Sequence, residues 1–472
     1  MGSFRSKFIG DRSFYKAVLA IAVPVVIQNS VTSSVNLLDN IMVGQLGTAQ
    51  MSGVAIANQL SFIFYLCVFG GLAGPGIFSA QFYGAKDMNG LRDCFRIKVW
   101  LSIILSALGA MVLLLWQEPV VRLFLQGEGD PAQAREILGH ARNYMTLMLP
   151  GFLPFALSMS YATTLRETGE TMLPMKAGIV AVLSNLAGNW LLIFGNLGFP
   201  ALGVRGAAVA TVFSRLVELG ILLYAVARAE RLAFMKGVWR TLRVPRALLA
   251  RVAAKGSPLL INEAMWSLGI TTVNQIYSVR ALLVLSALSI SSTVGNLINV
   301  FFLSIGNAVA VMVGHSLGAG NMEKAREDMR RLIFLAFSVC LAVGLAVAAL
   351  SPLFPRLYNI GDDARALAAR FILISSLMMP VFAIQHCCYF VLRSGGSTIV
   401  TFLYDSAFTW VILIPVTYAL AHFTAVPIVA LFALSQATNL LKAASGLLLV
   451  RTGIWQRNLT ARADKALLQA QG

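Results

Sequence analysis

Four carboxylates, Asp39, Glu218, Glu263 and Asp405, stand inside runs apolar enough to cross a bilayer, while the other sixteen acids fall in polar loops or tails. A charge at the centre of a spanning helix costs about 2.5–3.5 kcal/mol on insertion scales, so each acid needs a reason. Glu218 has one nearby: Arg215, three residues earlier, shares its helix face and can neutralise it. Asp39, Glu263 and Asp405 have no cation within helical reach on their own segments. What surrounds them is neutral and polar: Gln28, Asn29, Asn36 and Asn40 near Asp39, Asn262, Asn274 and Gln275 near Glu263, and Tyr404 beside Asp405. Carboxylates backed by amide oxygens suit a hard monovalent cation or a proton, reached through water. The alternative is a carboxylate hydrogen-bonded to backbone at a helix kink.

The stretch "SNLAGNW" sets Asn185 and Asn189 four residues apart, on one helical face. With Asp39 they would supply three oxygen donors from two helices, a set able to hold Na⁺. Interhelical amide bonding, common in membrane bundles, would explain the same pair without an ion.

These residues must be held by long helices. Of the 472 residues, 58% are hydrophobic and 12% charged, against roughly 45–50% and 25% in soluble domains, and a hydrocarbon core needs about 20 apolar residues per crossing. Twelve runs qualify, at 17–43, 51–78, 98–116, 143–165, 174–195, 206–227, 257–279, 283–313, 332–352, 368–392, 398–420 and 426–450. The basic start leads straight into a full span, so no cleavable signal is expected. Four of the five cysteines (Cys67, Cys340, Cys387, Cys388) lie inside spans, without zinc-ligand spacing, and read as packing residues.

A net charge of +17 raises the question of a nucleic-acid partner, which the placement of the charges excludes. Alternate loops starting with the N-terminus hold 27 of the 37 Lys and Arg, the opposite loops hold 8, and Arg215 and Lys442 lie within spans. That is the positive-inside bias. It predicts a multi-pass protein of a prokaryotic cytoplasmic (inner) membrane with both termini cytoplasmic, and adhesion to anionic membrane lipid as a secondary effect.

The chain also repeats itself. "GAKDMNGLRD" (84–93) and "GAGNMEKARE" (318–327) match at a displacement of 234, as do Pro24 and Pro258, and "LRETGET" (165–171) matches "LRSGGST" (392–398) at 227. Six helices per repeat is an even number, so the halves enter from the same face, as a parallel repeat. The expected fold is an all-α polytopic membrane protein, twelve transmembrane helices in two pseudo-symmetric six-helix lobes around a central cleft. The lobes would span 1–227 and 256–451, with a basic cytoplasmic linker at 228–255 and a cytoplasmic tail at 452–472. Apolar residues in the linker recur at helical spacing, which predicts a segment lying along the inner interface. Pro24 and "GGLAGPGIF" (70–78) mark helices able to bend; packing explains them equally.

In "VNLLDNIMVGQLG", "FYGAKD", "LGVRGAAVATV" (202–212) and the later echo "LGAGN", in that order and spacing, the chain resembles the multidrug and toxic compound extrusion (MATE) transporters. The resemblance implies secondary active efflux: Na⁺ or H⁺ moves inward in exchange for an amphipathic, often cationic, compound moving outward. It implies that Asp39 binds the cation or the proton, with Asn185, Asn189 and Thr211 as companions. Asn36, three residues before Asp39 on the same helix, is a further candidate for the cation site. Some members carry an acid where Asn189 stands, so this site has one ionisable group fewer. Glu263 and Asp405 match acids that other branches place on the seventh and tenth helices, as cation or substrate candidates. The amide-rich site tilts the expectation to Na⁺, since amides coordinate but do not titrate; H⁺ stays open. Candidates for the substrate cleft are Gln28, Asn29, Phe62, Phe155, Met159, Trp266, Met378 and Tyr404. Beyond the coupling ion no cofactor is expected, and the protein should act as a monomer.

Two other readings compete. A lipid-linked oligosaccharide flippase of the same superfamily would grip a pyrophosphate with cations, whereas the unpaired charges inside the spans are mainly acids, Lys442 excepted. An enzyme would need a ligand or nucleophile constellation, and the four His (His140, His315, His386, His422) are scattered, with none beside them.

Overall fold

A computed structural model describes residues 8–124, 131–278, 282–358 and 361–461; parts of the two predicted tails (1–7 and 462–472) and the last residue of the predicted seventh span lie outside the described residues. The described residues form α-helices with short 3-10 and π turns, the arrangement that satisfies every backbone N–H and C=O within its own segment when no water is at hand. In chain order the helices are α1 (Arg12–Gly44), α2 (Thr48–Gly84), α3 (Met88–Phe124), α4 (Ala132–Glu167), α5 (Met172–Phe194), α6 (Val204–Arg228), α7 (Arg246–Ser278), α8 (Leu282–Gly318), α9 (Met322–Leu350), α10 (Asp362–Ser394), α11 (Thr398–Phe423) and α12 (Ile428–Arg451). Each expected span falls on one of these helices and runs past its ends by at most two residues. Among the described residues eleven of these helices are long and apolar enough to cross a membrane; α7 is the exception, carrying Arg251, Lys255 and Glu263 among amides.

Local chemistry sets the ends and bends. Asp11 caps α1: it accepts from the Phe14 N–H and the Ser13 hydroxyl, both at 2.9 Å, and these donors hold its carboxyl below the usual carboxylate range. Within α4, Pro150 has no N–H to continue the ladder, and the helix steps through a 3-10 turn at Leu149–Gly151. Pro24 and Pro258 lie inside α1 and α7.

The repeated motifs have repeated geometry. At the end of α2, Ala85, Lys86 and Asp87 donate back to Gln81, Tyr83 and Phe82; 234 residues later Ala319, Gly320 and Asn321 donate to His315, Leu317 and Ser316. Lys86 and Gly320 occupy the same position with φ of 60° and 75°. The second motif behaves alike at 227, with Gly169 and Gly396 at φ of 87° and 70°. The glycines opening the first motif pack closely: a Cβ on Gly84 would strike the His315 carbonyl, and one on Gly318 would strike the Gln81 carbonyl.

The chain divides into two compact units, one of residues 1–26, 77–87 and 250–472 and the other of residues 27–76 and 88–249. The first has a continuous apolar core drawn chiefly from α8 to α12, with Phe371 stacked on Phe432 at 4.4 Å. The second is built on α2 to α6, with Phe64 stacked on Phe152 at 4.0 Å where Gly109 leaves room for the ring.

The linker differs from the sequence expectation. Residues 230–240 form two short 3-10 turns strapped along α3 and α4: Arg92, Arg96 and Trp100 of α3 donate to the carbonyls of Phe234, Val238 and Leu242, and Trp239 donates to the Tyr161 hydroxyl at 2.8 Å. Leu232, Met235 and Val238 are buried in the process. Helical spacing here marks the face that packs on protein, and from Arg246 onward the segment is simply the start of α7.

Candidate functional site

The site grows from a close helix crossing. A Cβ on Gly188 of α5 would come within 2.9 Å of Ala210 Cβ, and one on Gly206 of α6 would strike the Leu192 carbonyl. These two glycines let α5 and α6 approach, and the approach brings Asn185 and Asn189 to face Thr211. The Asn185 amide donates to Thr211 Oγ1 at 3.2 Å, and the threonine hydroxyl donates to the Ala207 carbonyl at 2.9 Å. Tyr144 of α4, itself buried, lies beside the same threonine.

Asp39 enters from α1. Its Oδ1 accepts from Asn189 Nδ2, and the same amide nitrogen lies 3.4 Å from Asn185 Oδ1. Asn189 is fully buried, and its carbonyl oxygen, Oδ1, has no hydrogen-bond partner among the described residues. An unpartnered buried acceptor is costly, and this one lies beside a carboxylate. Among the described residues Asp39 has no cation within ion-pair distance. The oxygens gathered here, one carboxylate, two amides and one hydroxyl, are hard, non-redox donors of the kind that fit Na⁺ or, at the carboxylate, a proton. The sequence singled out Asp39, Asn185, Asn189 and Thr211, and the structure brings all four together. Tyr144 was missed; a tyrosine in an apolar run carries no signal of its own. Asn36 and Asn40 are exposed on α1, away from this chain of bonds.

The other acids are held differently. Glu218 pairs with Arg215 at 3.3 Å, as their spacing predicts, and the guanidinium lies 5.2 Å from the centre of the Phe155 ring. Asp405 has a cation after all: Lys442 of α12 reaches it at 2.7 Å, and Asn262 of α7 donates to its other oxygen at 3.0 Å. The expectation of an unneutralised acid fails for Asp405, because its cation comes from a neighbouring helix and not from its own. Asp405 and Lys442 stand at similar depths on either side of the 424–427 turn, and that placement is the signal in the sequence for the pair. Asp405 also lies on α11, not on a tenth helix, within a π-helical turn at Leu403–Ala407 that a second one follows at Thr409–Leu413. Glu263 accepts from the Tyr389 hydroxyl at 3.0 Å.

Several cleft candidates are otherwise engaged. Arg166 donates to Gln28 at 3.1 Å, Tyr404 is buried with its hydroxyl on the Gln385 carbonyl, and Phe155 and Met159 pack on the core of their unit. Phe62 and Trp266 are exposed, and Asn29 and Met378 are partly so. Lys98, counted above among the loop cations, is buried in α3, donating to both Glu167 oxygens at 2.6 and 2.8 Å and to Thr163 and Thr164. One cation fewer leaves the charge asymmetry in place.

A profile of the MatE family matches residues 24–191 and 258–419, two stretches that begin at Pro24 and Pro258, the pair at the repeat displacement. The chain is 24% identical over 412 residues to the probable multidrug resistance protein NorM of Thermotoga maritima, covering 86% of each. It is 28% identical over 435 residues to the multidrug resistance protein PmpM of Pseudomonas aeruginosa, covering 88% of this chain and 86% of the relative. Its fold is similar to the crystal structure of a mutant of the Vibrio cholerae MATE transporter VcmN, with a TM-score of 0.85, 19% identity, and coverage of 95% of this chain and 98% of that one. With both halves matched by one profile and the whole helical fold shared, the chain belongs to the MatE family, the MATE transporters, and is a multi-pass membrane transporter and not an enzyme.

Proposed function

We propose that this protein is a cation-coupled multidrug antiporter of a prokaryotic cytoplasmic membrane, with both termini inside, in which inward Na⁺ or H⁺ drives an amphipathic, cationic compound outward. The observation that carries this reading is the unpartnered Asn189 carbonyl beside Asp39, a carboxylate without a cation. The names of the relatives support a drug substrate.

In the proposed cycle Asp39 is charged when no ion is bound, and Asn189 Nδ2 is its hydrogen-bond donor. An arriving Na⁺ takes that place, drawing on Asp39, on Oδ1 of Asn189 and Asn185 and on Thr211; a proton does the same work at Asp39 alone. Either neutralises the carboxylate, frees the amide and lets α1 repack. Two lobes, 1–227 and 256–451, joined by the segment 228–255, would then expose a cleft to opposite sides in turn. Only a difference in affinity between the two states can drive this, and the membrane potential adds about 2.3 kcal/mol per charge per 100 mV. Exposed groups such as Phe62, Trp266, Asn29 and Met378 are the candidates for contact with drug, in a protein acting as a monomer.

The flippase reading is weakly supplied with cations: among the described residues Lys442, Arg215 and Lys98 are paired with Asp405, Glu218 and Glu167, and Arg166 is held by Gln28. The deciding experiment is efflux of a cationic dye from proteoliposomes under a Na⁺ gradient and, separately, a pH gradient. Efflux under one of them is expected, the Na⁺ gradient first because the companions of Asp39 are amides. Equal efflux with neither gradient would sink the proposal.

A further inference from the structure

One face of α9 carries a gradient of side chains. Arg326, Arg330, Phe334 and Phe337 recur at helical spacing, cations first and aromatics deeper. They form one wall of a 660 Å³ groove whose other wall is the last turns of α12, ending at Arg451, with Ile384 of α10 as floor. Phe8 closes over the aromatic wall, its ring centre 5.7 Å from that of Phe334.

The charges at the mouth are of one sign. No acid lines the groove among the described residues, and Glu327 is turned to Arg331 at 3.4 Å. Arg326 donates to Gln456 at 2.7 Å, whereas Arg330 and Arg451 are exposed and have no carboxylate within ion-pair distance among the described residues. A cationic compound would be repelled here, and a soluble anion would leave the apolar length below the mouth unfilled. An anionic headgroup with a hydrocarbon chain answers both halves. The mouth also belongs to the end of the bundle that the charge bias assigns to the cytoplasmic leaflet, where basic pockets between helices take acidic headgroups.

We propose that this groove is a specific site for an anionic glycerophospholipid. The phosphate sits between Arg330 and Arg451, and the first part of one acyl chain lies against Phe334, Phe337 and Leu447. The site is independent of the coupling reading, since none of its residues touches Asp39 or its companions. It adjoins a structural joint: Gln456 opens the segment in which the Arg457 carbonyl and the Leu459 N–H clasp Gln81 of α2 at 3.2 and 2.7 Å. A bound headgroup would brace that segment.

The test is native mass spectrometry of the purified full chain, titrated with phosphatidylglycerol and, separately, with phosphatidylcholine of the same chains. Wild type should retain phosphatidylglycerol in preference. Arg330→Gln with Arg451→Gln should weaken that binding about fivefold per arginine and leave phosphatidylcholine unchanged. Phe337→Ser, which keeps every cation, should also weaken it while leaving the Tm in detergent alone where it was, so that loss of binding is separable from loss of fold. Equal retention of the two lipids by wild type, or undiminished phosphatidylglycerol binding by the double variant, would overturn the proposal. So would thermal stabilisation by inorganic phosphate equal to that by the lipid, which would mean an anion site with no place for a chain.

Discussion

At the scale of single residues, acids in the membrane differ by what faces them. Asp405 has Lys442, Glu218 has Arg215, and among the described residues Asp39 has only an amide whose own oxygen is unpartnered. If Asn189 Oδ1 is a ligand for Na⁺, Asn189→Ala should weaken Na⁺ affinity about tenfold or more, by analogy with the loss of a metal-supporting partner, with little change in dye binding in the absence of Na⁺. Isothermal titration with Na⁺ at constant ionic strength checks it, and an unchanged affinity would remove Asn189 from the site. The cluster was legible because polar residues inside spans need reasons: Asp39, Asn185 and Asn189 stand out against their neighbours. Tyr144 and Tyr389 did not, since their roles depend on which helices pack together, and nothing in their own segments says so.

At the scale of elements, neutralisation across a hairpin makes its own demand on stability. Lys442→Ala would leave Asp405 charged in a largely buried position, which typically costs about 3–5 kcal/mol. Thermal unfolding in detergent should show that loss, and Asp405→Asn with Lys442→Met should recover most of it; a harmless Lys442→Ala would mean the pair contributes nothing to stability. The crossing of α2 and α8 offers a second comparison. Gly318→Ala places a methyl against the Gln81 carbonyl and should destabilise by about 1–3 kcal/mol, whereas Gly220→Ala meets no atom within 4 Å and should be neutral or gain up to about 1 kcal/mol of helix propensity. Equal unfolding temperatures for the two would contradict the close approach. Helix number and position were legible from apolar length alone, because bilayer thickness sets a fixed requirement. The strap at 230–240 was not, since periodic apolar residues look the same whether they face lipid or the side of α3 and α4. The π turns around Asp405 left no mark either: they lie where α11 packs against α7, with Thr409 close to Gly269 and Trp410 donating to the Met265 carbonyl.

At the scale of the whole molecule, duplication produced two halves with matching helix ends and different chemistry. The caps at 84–87 and 318–321 repeat bond for bond, yet the acids of the two halves are held differently: among the described residues Asp39 meets an amide, Glu263 a tyrosine hydroxyl and Asp405 a lysine. The repeat was visible in the sequence because turns constrain residue type more tightly than lipid-facing helix does. The most direct measurement is dye efflux from proteoliposomes holding Asp39→Asn beside wild type, under whichever gradient drives the wild type, with matched insertion and Tm. The mechanism predicts efflux at background for the variant, with the dye still bound. Gradient-driven efflux by Asp39→Asn at the wild-type rate would contradict it.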